Sequence, residues 1–266
     1  MSAEPQAIGA GPANQAPAGK RPAARNQVRT HVRIRIRLWD LPLRVFHWSL
    51  VVAVTTAVVT GLLGGPWMAL HGQAGLAIVG LVVFRLVWGV IGSTPARFVR
   101  FAPTYPKLKA YLQGRWRGVG HNPLGACAVF ALLGLLALQA ATGLVGNDDI
   151  AFSGPLSGLV DEALSSRLTG LHKQLANVLL GLTGLHVAAI VFYLRFRKDN
   201  LIKPMLTGWK DVDAASGASI DEPVRRGGPL AFVVALVLAL AAVHAAGGGW
   251  QAAAEAPTPA PSKPAW

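Results

Sequence analysis

Cysteine is nearly absent from this chain: Cys127 is the single one in 266 residues. That excludes an intramolecular disulfide, a cysteine-ligated iron–sulfur cluster and the C-x-x-C-H attachment of c-type haem. Charge is scarce too. Charged residues make up 14% of the sequence, where a soluble domain carries about 25%. With 52% of residues hydrophobic, too little charge remains to cover a water-facing surface, so the chain belongs in a bilayer. Acidic residues are the scarcer charged class, 12 against 25 Lys and Arg, for a formal charge of +13. Neither a G-x-x-x-x-G-K-[ST] loop nor a G-x-G-x-x-G turn between strand and helix occurs, which removes the common nucleotide sites.

What the chain has in quantity is long apolar runs. Five lie at about 41–63, 72–92, 124–146, 171–194 and 229–247. Each approaches or exceeds the ~20 residues a helix needs to cross the hydrocarbon core. Helices are required there, because an open strand leaves backbone groups unpaired in lipid. Asp40 and Pro42 mark the start of the first, as cap and opening-turn residue. The expected fold is therefore all-α, an integral membrane bundle of four helices plus a fifth at the C-terminus. Residues 1–38 read as a disordered basic tail, 39–210 as the membrane domain, 211–228 as a linker and 248–266 as an Ala/Pro-rich tail.

The basic residues sort by loop. Eight lie before the first run or in its opening turn (Arg44), six between the second and third, and seven after the fourth: 21 of the 25. The alternate side keeps Arg167, Lys173 and Lys263, together with Asp148, Asp149, Asp161 and Glu162. The positive-inside rule then puts the N-terminus in the cytoplasm of a bacterial inner-membrane protein and the C-terminus outside. The +13 charge thus records topology, and nucleic acid is not an expected partner. The acidic stretch 147–162 is open to two readings, a surface for a basic partner or the counterpart of that charge bias.

Histidine carries the chemistry. An ionisable residue at membrane depth is costly unless paired or ligating, and four of the seven histidines fall within or at the ends of the runs. His172 and His186 are 14 residues apart, a rise of roughly 21 Å, and about 40° from four full turns. They point the same way at two depths, inside the repeat Thr169-Gly170-Leu171-His172 and Thr183-Gly184-Leu185-His186. His71 matches His172 in depth, and His47 matches His186. Two imidazole pairs stacked in this way suit two bis-histidine haems. A zinc site is excluded, because no carboxylate or thiolate joins pairs so far apart. Gly75, one turn after His71, leaves room for a flat macrocycle, and Gly61, Gly143 and Gly184 offer similar room. For Gly61 and Gly143, close helix packing is an equal alternative. His31, His121 and His244 read as solvated or helix-end groups.

The stretch Trp39-Asp40-Leu41-Pro42-Leu43-Arg44-Val45-Phe46-His47-Trp48 resembles the opening of bacterial cytochrome b-561-type proteins. That family includes the b-type cytochrome subunit of nickel–iron hydrogenases. The resemblance continues through His71-Gly72-Gln73-Ala74-Gly75, Gly120-His121-Asn122-Pro123-Leu124-Gly125-Ala126, Leu171-His172 with His186, and Lys203-Pro204-Met205-Leu206-Thr207-Gly208. It implies a four-helix bundle with two non-covalent b haems, His47 and His186 ligating one and His71 and His172 the other. Arg44, Arg85, Arg195 and Lys173 lie near the depths at which haem propionates need cations. For Arg85, snorkelling to the interface is an equal alternative.

The function implied is electron transfer across the membrane by a carrier, between quinones such as ubiquinone and a periplasmic redox partner. That partner is expected to be a c-type cytochrome or a dehydrogenase subunit. Two alternatives stand beside it. One is the membrane anchor of a hydrogenase- or dehydrogenase-like complex, and the other is a quinone-linked superoxide oxidase.

Overall fold

A computed structural model describes residues 33–118, 120–150, 152–213 and 225–249 of the chain. The first element is a strand, β1 (Arg33–Arg37), followed by α1 (Leu41–Leu63), α2 (Met68–Ile91), α3 (Phe98–Phe101) and α4 (Tyr105–Leu112). Then come α5 (Pro123–Val145), α6 (Glu162–Arg195), α7 (Ile202–Thr207), a second strand β2 (Trp209–Asp213) and α8 (Pro229–Ala246). Among the described residues, five helices are long and apolar enough to cross a membrane. Large apolar side chains such as Leu62 (78% exposed) and Leu230 (75%) stand on their outer surfaces. That is the surface a bilayer covers, so this is an all-α multi-pass membrane bundle.

Local chemistry sets the helix ends. The Asp40 carboxylate accepts the Leu43 N–H at 2.8 Å, as expected of a cap, with proline in the first turn. Asn122 and Asp161 do the same for α5 and α6, accepting from Gly125 at 2.7 Å and Leu164 at 2.8 Å. α1 packs beside α2, α2 beside α5, and α5 beside α6. α8 lies against α2, where Val243 meets the bare backbone of Gly80. One buried cluster joins Phe46, Phe84, Trp88 and Leu133 to Ala235 and Ala239 of α8. A second, of Ile78, Val82, Leu136 and Leu179, ties α2, α5 and α6 together.

Four expectations need correction. Residues 33–37 are not part of a disordered tail: they pair antiparallel with 209–213, from Arg33 opposite Asp213 to Arg37 opposite Trp209. Arg35 and Arg37 lie over the Trp209 ring, 5.1 and 6.0 Å from its centre. The same pairing takes 211–213 out of the linker. α6 starts at Glu162 rather than near 171, because Asp161 caps a polar first stretch that hydropathy does not register. α2 starts at Met68, directly after a short turn over Gly65–Trp67. Residues 1–32, 214–224 and 250–266 lie outside the described residues, and with them His31 and most of both expected tails.

The ribbon is locked to the bundle. Gly208, at φ 84°, turns the chain out of α7, and its carbonyl accepts N–H groups from Leu38 (2.8 Å) and Trp39 (3.2 Å). Two more carbonyls at the end of α7 are satisfied from α1: Trp48 donates to Met205 at 3.2 Å, and Arg44 to Leu206. The bundle thus has a ribbon end, carrying β1, β2 and α7, and a turn end, carrying the α1–α2 turn and the 146–161 loop.

Candidate functional site

At the turn end, His71 in the opening turns of α2 faces His172 of α6. The ring centres are 6.1 Å apart and the planes cross at 81°. Each ring is tied to a neighbouring helix in the same way. His71 Nδ1 stands 2.8 Å from the Ala57 carbonyl of α1, and His172 Nδ1 stands 3.0 Å from the Gln139 carbonyl of α5. A carbonyl can only accept, so each Nδ1 carries the proton and each Nε2 keeps its lone pair. Such a second bond is what orients a metal-ligating histidine.

Glycine makes the approach possible. Gly61 lies one turn after Ala57, and Gly143 one turn after Gln139. A Cβ on Gly61 would sit 3.0 Å from His71 Nδ1 and Cε1, and one on Gly143 would sit 3.0 Å from His172 Cε1. Both glycines therefore seat imidazoles. Gly75 and Gly184 carry no atom within 4 Å of a would-be Cβ, so a macrocycle would meet nothing there.

Beside the rings opens a cavity of about 560 Å³, walled by α1, α2, α5 and α6 and lined by both histidines, Gly75 and Lys173. That is the size of a cofactor pocket. Two nitrogens each held ~2 Å from one metal place their ring centres roughly 6 Å apart, so the residues present fit an iron between two imidazoles. Two polar residues here escaped the sequence reading. Gln139 places its amide nitrogen 3.0 Å from His172 Nε2, and buried Thr142 stands 3.2 Å from Nδ1. Their signal was an amide and a hydroxyl inside an otherwise apolar run.

Toward the ribbon end, half-buried His47 of α1 lies within electrostatic reach of His186 of α6. Its Nδ1 is buried with no partner, and Trp48 stands edge-on to it at 5.2 Å. Arg44, one turn earlier, keeps a buried Nε that bonds to nothing. Arg85 is 2% exposed, so its guanidinium does not snorkel to water. It lies 4.4 Å over the Phe98 ring, near Asp40, with Nη1 unpartnered. Arg195 is exposed at the end of α6.

His121 departs from the solvated reading. Its ring sits between Trp39 (4.6 Å) and Phe101 (4.5 Å), and its Nδ1 is sealed off without a partner. Burial first, and the Arg85 charge second, push this imidazole down to about 4. Distant segments supply both rings, which is why its neighbours in sequence gave no sign of the burial. His244 is exposed on α8.

Apolar helices that span a bilayer, with histidines paired at a cofactor-sized cavity, define a membrane haem protein. Residues 38–208 match the family described as prokaryotic cytochrome b561, and the chain belongs to it. It is thus a membrane-embedded cytochrome b, an electron-transfer protein whose cofactor is haem b. Among known proteins, one from Azotobacter vinelandii is 26% identical over 218 residues, 66% of this chain and 88% of that protein. It is described as a probable Ni/Fe-hydrogenase B-type cytochrome subunit. A protein from Escherichia coli (strain K12), described as a probable Ni/Fe-hydrogenase 1 B-type cytochrome subunit, is 22% identical over 137 residues. That match covers 40% of this chain and 57% of the relative. No solved structure matches the chain.

Proposed function

We propose that this cytochrome carries electrons through the bilayer on two non-covalent haem b groups. His71 and His172 hold one at the turn end, and His47 and His186 hold the other toward the ribbon end. The observation that carries this reading is the His71–His172 pair: rings 6.1 Å apart, each with Nδ1 tied to a carbonyl, beside a cavity walled by four helices. Haem supplies reversible one-electron chemistry at the iron. Two imidazoles would hold each haem, so the bound groups would serve electron transfer rather than the binding of oxygen or substrate. Lys173, which lines the cavity, and Arg44 and Arg85, which keep unpartnered nitrogens, are the cations for propionates.

The charge distribution supports an inner-membrane protein with its ribbon end and N-terminus in the cytoplasm. The turn end, with His71 and His172, then faces the periplasm. Its partners are the quinone pool and a periplasmic redox protein. The names of the relatives favour a hydrogenase as that partner, which makes this chain the membrane subunit of such a complex.

The test is a pyridine haemochrome assay with a reduced-minus-oxidised spectrum on the purified protein. Two b haems per chain are expected. His71→Ala or His172→Ala should remove one haem, and His47→Ala or His186→Ala the other. One haem in the native chain, or four variants with unchanged spectra, would refute the assignment. Co-purification of a hydrogenase from native membranes tests the partner.

A further inference from the structure

The loop between α5 and α6 is folded back over the turn-end cavity. Its Gly154 N–H donates to the Gly146 carbonyl at 2.8 Å, and its Leu156 N–H to the Leu144 carbonyl at 2.9 Å. The other side of the loop is fastened to α6. Asn147 N–H donates to the Thr169 hydroxyl at 2.9 Å, one turn before His172, and buried Ser165 donates to the Val145 carbonyl at 2.8 Å. The Asp148 carboxylate accepts the Phe152 N–H at 2.8 Å and so fixes where Phe152 leaves the backbone.

The Phe152 ring points inward from this frame. It lines the cavity and stands edge-on to His71, with centres 6.2 Å apart and planes at 89°. Its seat is Gly72, the residue after His71, where an added Cβ would meet the ring at 3.0 Å. Neither residue forms a hydrogen bond with His71, so what the ring supplies there is shape and dryness. A half-buried aromatic held by a braced loop against one ligand of a pair excludes water from that ligand's outer face.

We propose that Phe152 is a positioning residue for the turn-end haem: its ring, seated on Gly72, holds His71 in place and keeps water from the pair. This rests on the reading of His71 and His172 as haem ligands. The physical consequence is a raised reduction potential. Ferric haem carries the extra positive charge and is the form that water solvates better, so a dry wall favours the ferrous state.

The test is a redox titration of the purified full-length protein, with His71→Ala first used to identify which midpoint belongs to the turn-end haem. In Phe152→Ala both haems should remain, that midpoint should fall and the other should stay. The ferric low-spin electron paramagnetic resonance signal of the same haem should change as the His71 ring relaxes. Phe152→Leu, which keeps apolar bulk, should hold the midpoint near the native value. Gly72→Ala, which crowds the ring in its seat, should move it the same way as Phe152→Ala by a smaller amount. Should Phe152→Ala cost the haem, Phe152→Asn is read instead, with the same expected fall. Both midpoints unmoved in haem-loaded Phe152 variants would overturn the proposal and leave the ligand assignment standing. Two haems retained in His71→Ala would overturn both.

Discussion

Gly61 offers the most direct way to displace one histidine without touching it. The His71 ring rests against α1 so closely that a Cβ on Gly61 would lie 3.0 Å from two ring atoms. Alanine there forces the ring back by a few tenths of an ångström, which stretches the 2.8 Å bond from Nδ1 to the Ala57 carbonyl. A hydrogen bond of this kind contributes about 1 kcal/mol net. Alanine is a better helix former than glycine by about 0.8–1.0 kcal/mol. The two terms offset one another, so Gly61→Ala should leave the thermal unfolding temperature nearly unchanged. The haem gains nothing from helix propensity, however. Losing up to about 1 kcal/mol of ligand orientation should weaken its binding by up to roughly fivefold. Gly61→Leu is the severe case, since a branched side chain would drive the ring off the carbonyl and into the cavity. Haem-to-protein ratio and midpoint titration should show one haem lost in the leucine variant and the other unmoved. A Gly61→Leu protein with both haems and native potentials would refute the view that α1 seats His71.

Two further outcomes follow from the ribbon end. The Asp40 carboxylate caps α1 through the Leu43 N–H and also accepts the Trp88 indole N–H at 3.0 Å. Asp40→Ala removes the cap and leaves a donor unsatisfied, a loss of roughly 2–4 kcal/mol. Asp40→Asn, whose single amide oxygen can keep the Leu43 cap while its amide nitrogen cannot accept from Trp88, should lose less. Thermal unfolding followed by tryptophan fluorescence reads both, and an alanine variant as stable as native would break the argument. His121, pushed down to about 4, is held neutral in the fold while the unfolded chain protonates it at the ordinary value. Its contribution to stability is therefore complete above about pH 6.5 and is lost as pH falls through about 4. Unfolding temperatures measured from about pH 7 down to about pH 4 should fall in the native protein and fall less in His121→Phe. Equal slopes would show that His121 is not the group responsible.

The spans were legible because they rest on a local signal, a run of apolar residues as long as a bilayer is thick, and the facing of His71 and His172 was legible from an imidazole where lipid tolerates none. The ribbon was not, since Arg-Ile-Arg-Ile-Arg carries too much charge to read as a buried strand and its partner, 209–213, is far away in sequence. The first turns of α6 were missed for a different reason. Hydropathy reports what lipid will accept, whereas the helix begins where Asp161 caps it. The site itself shows where the limit falls. Ala57 with Gly61 and Gln139 with Gly143 share one spacing, a carbonyl and a bare backbone one turn further on, and by itself that spacing describes any close contact between membrane helices. What gives it a chemical meaning is a histidine arriving from another helix: His71 at Ala57 and His172 at Gln139. The two seats lie on different helices, α1 and α5, and serve rings that face each other beside the cavity. The use of one device twice, on opposite sides of one pocket, sets Gly61 and Gly143 apart from glycines that only let helices touch.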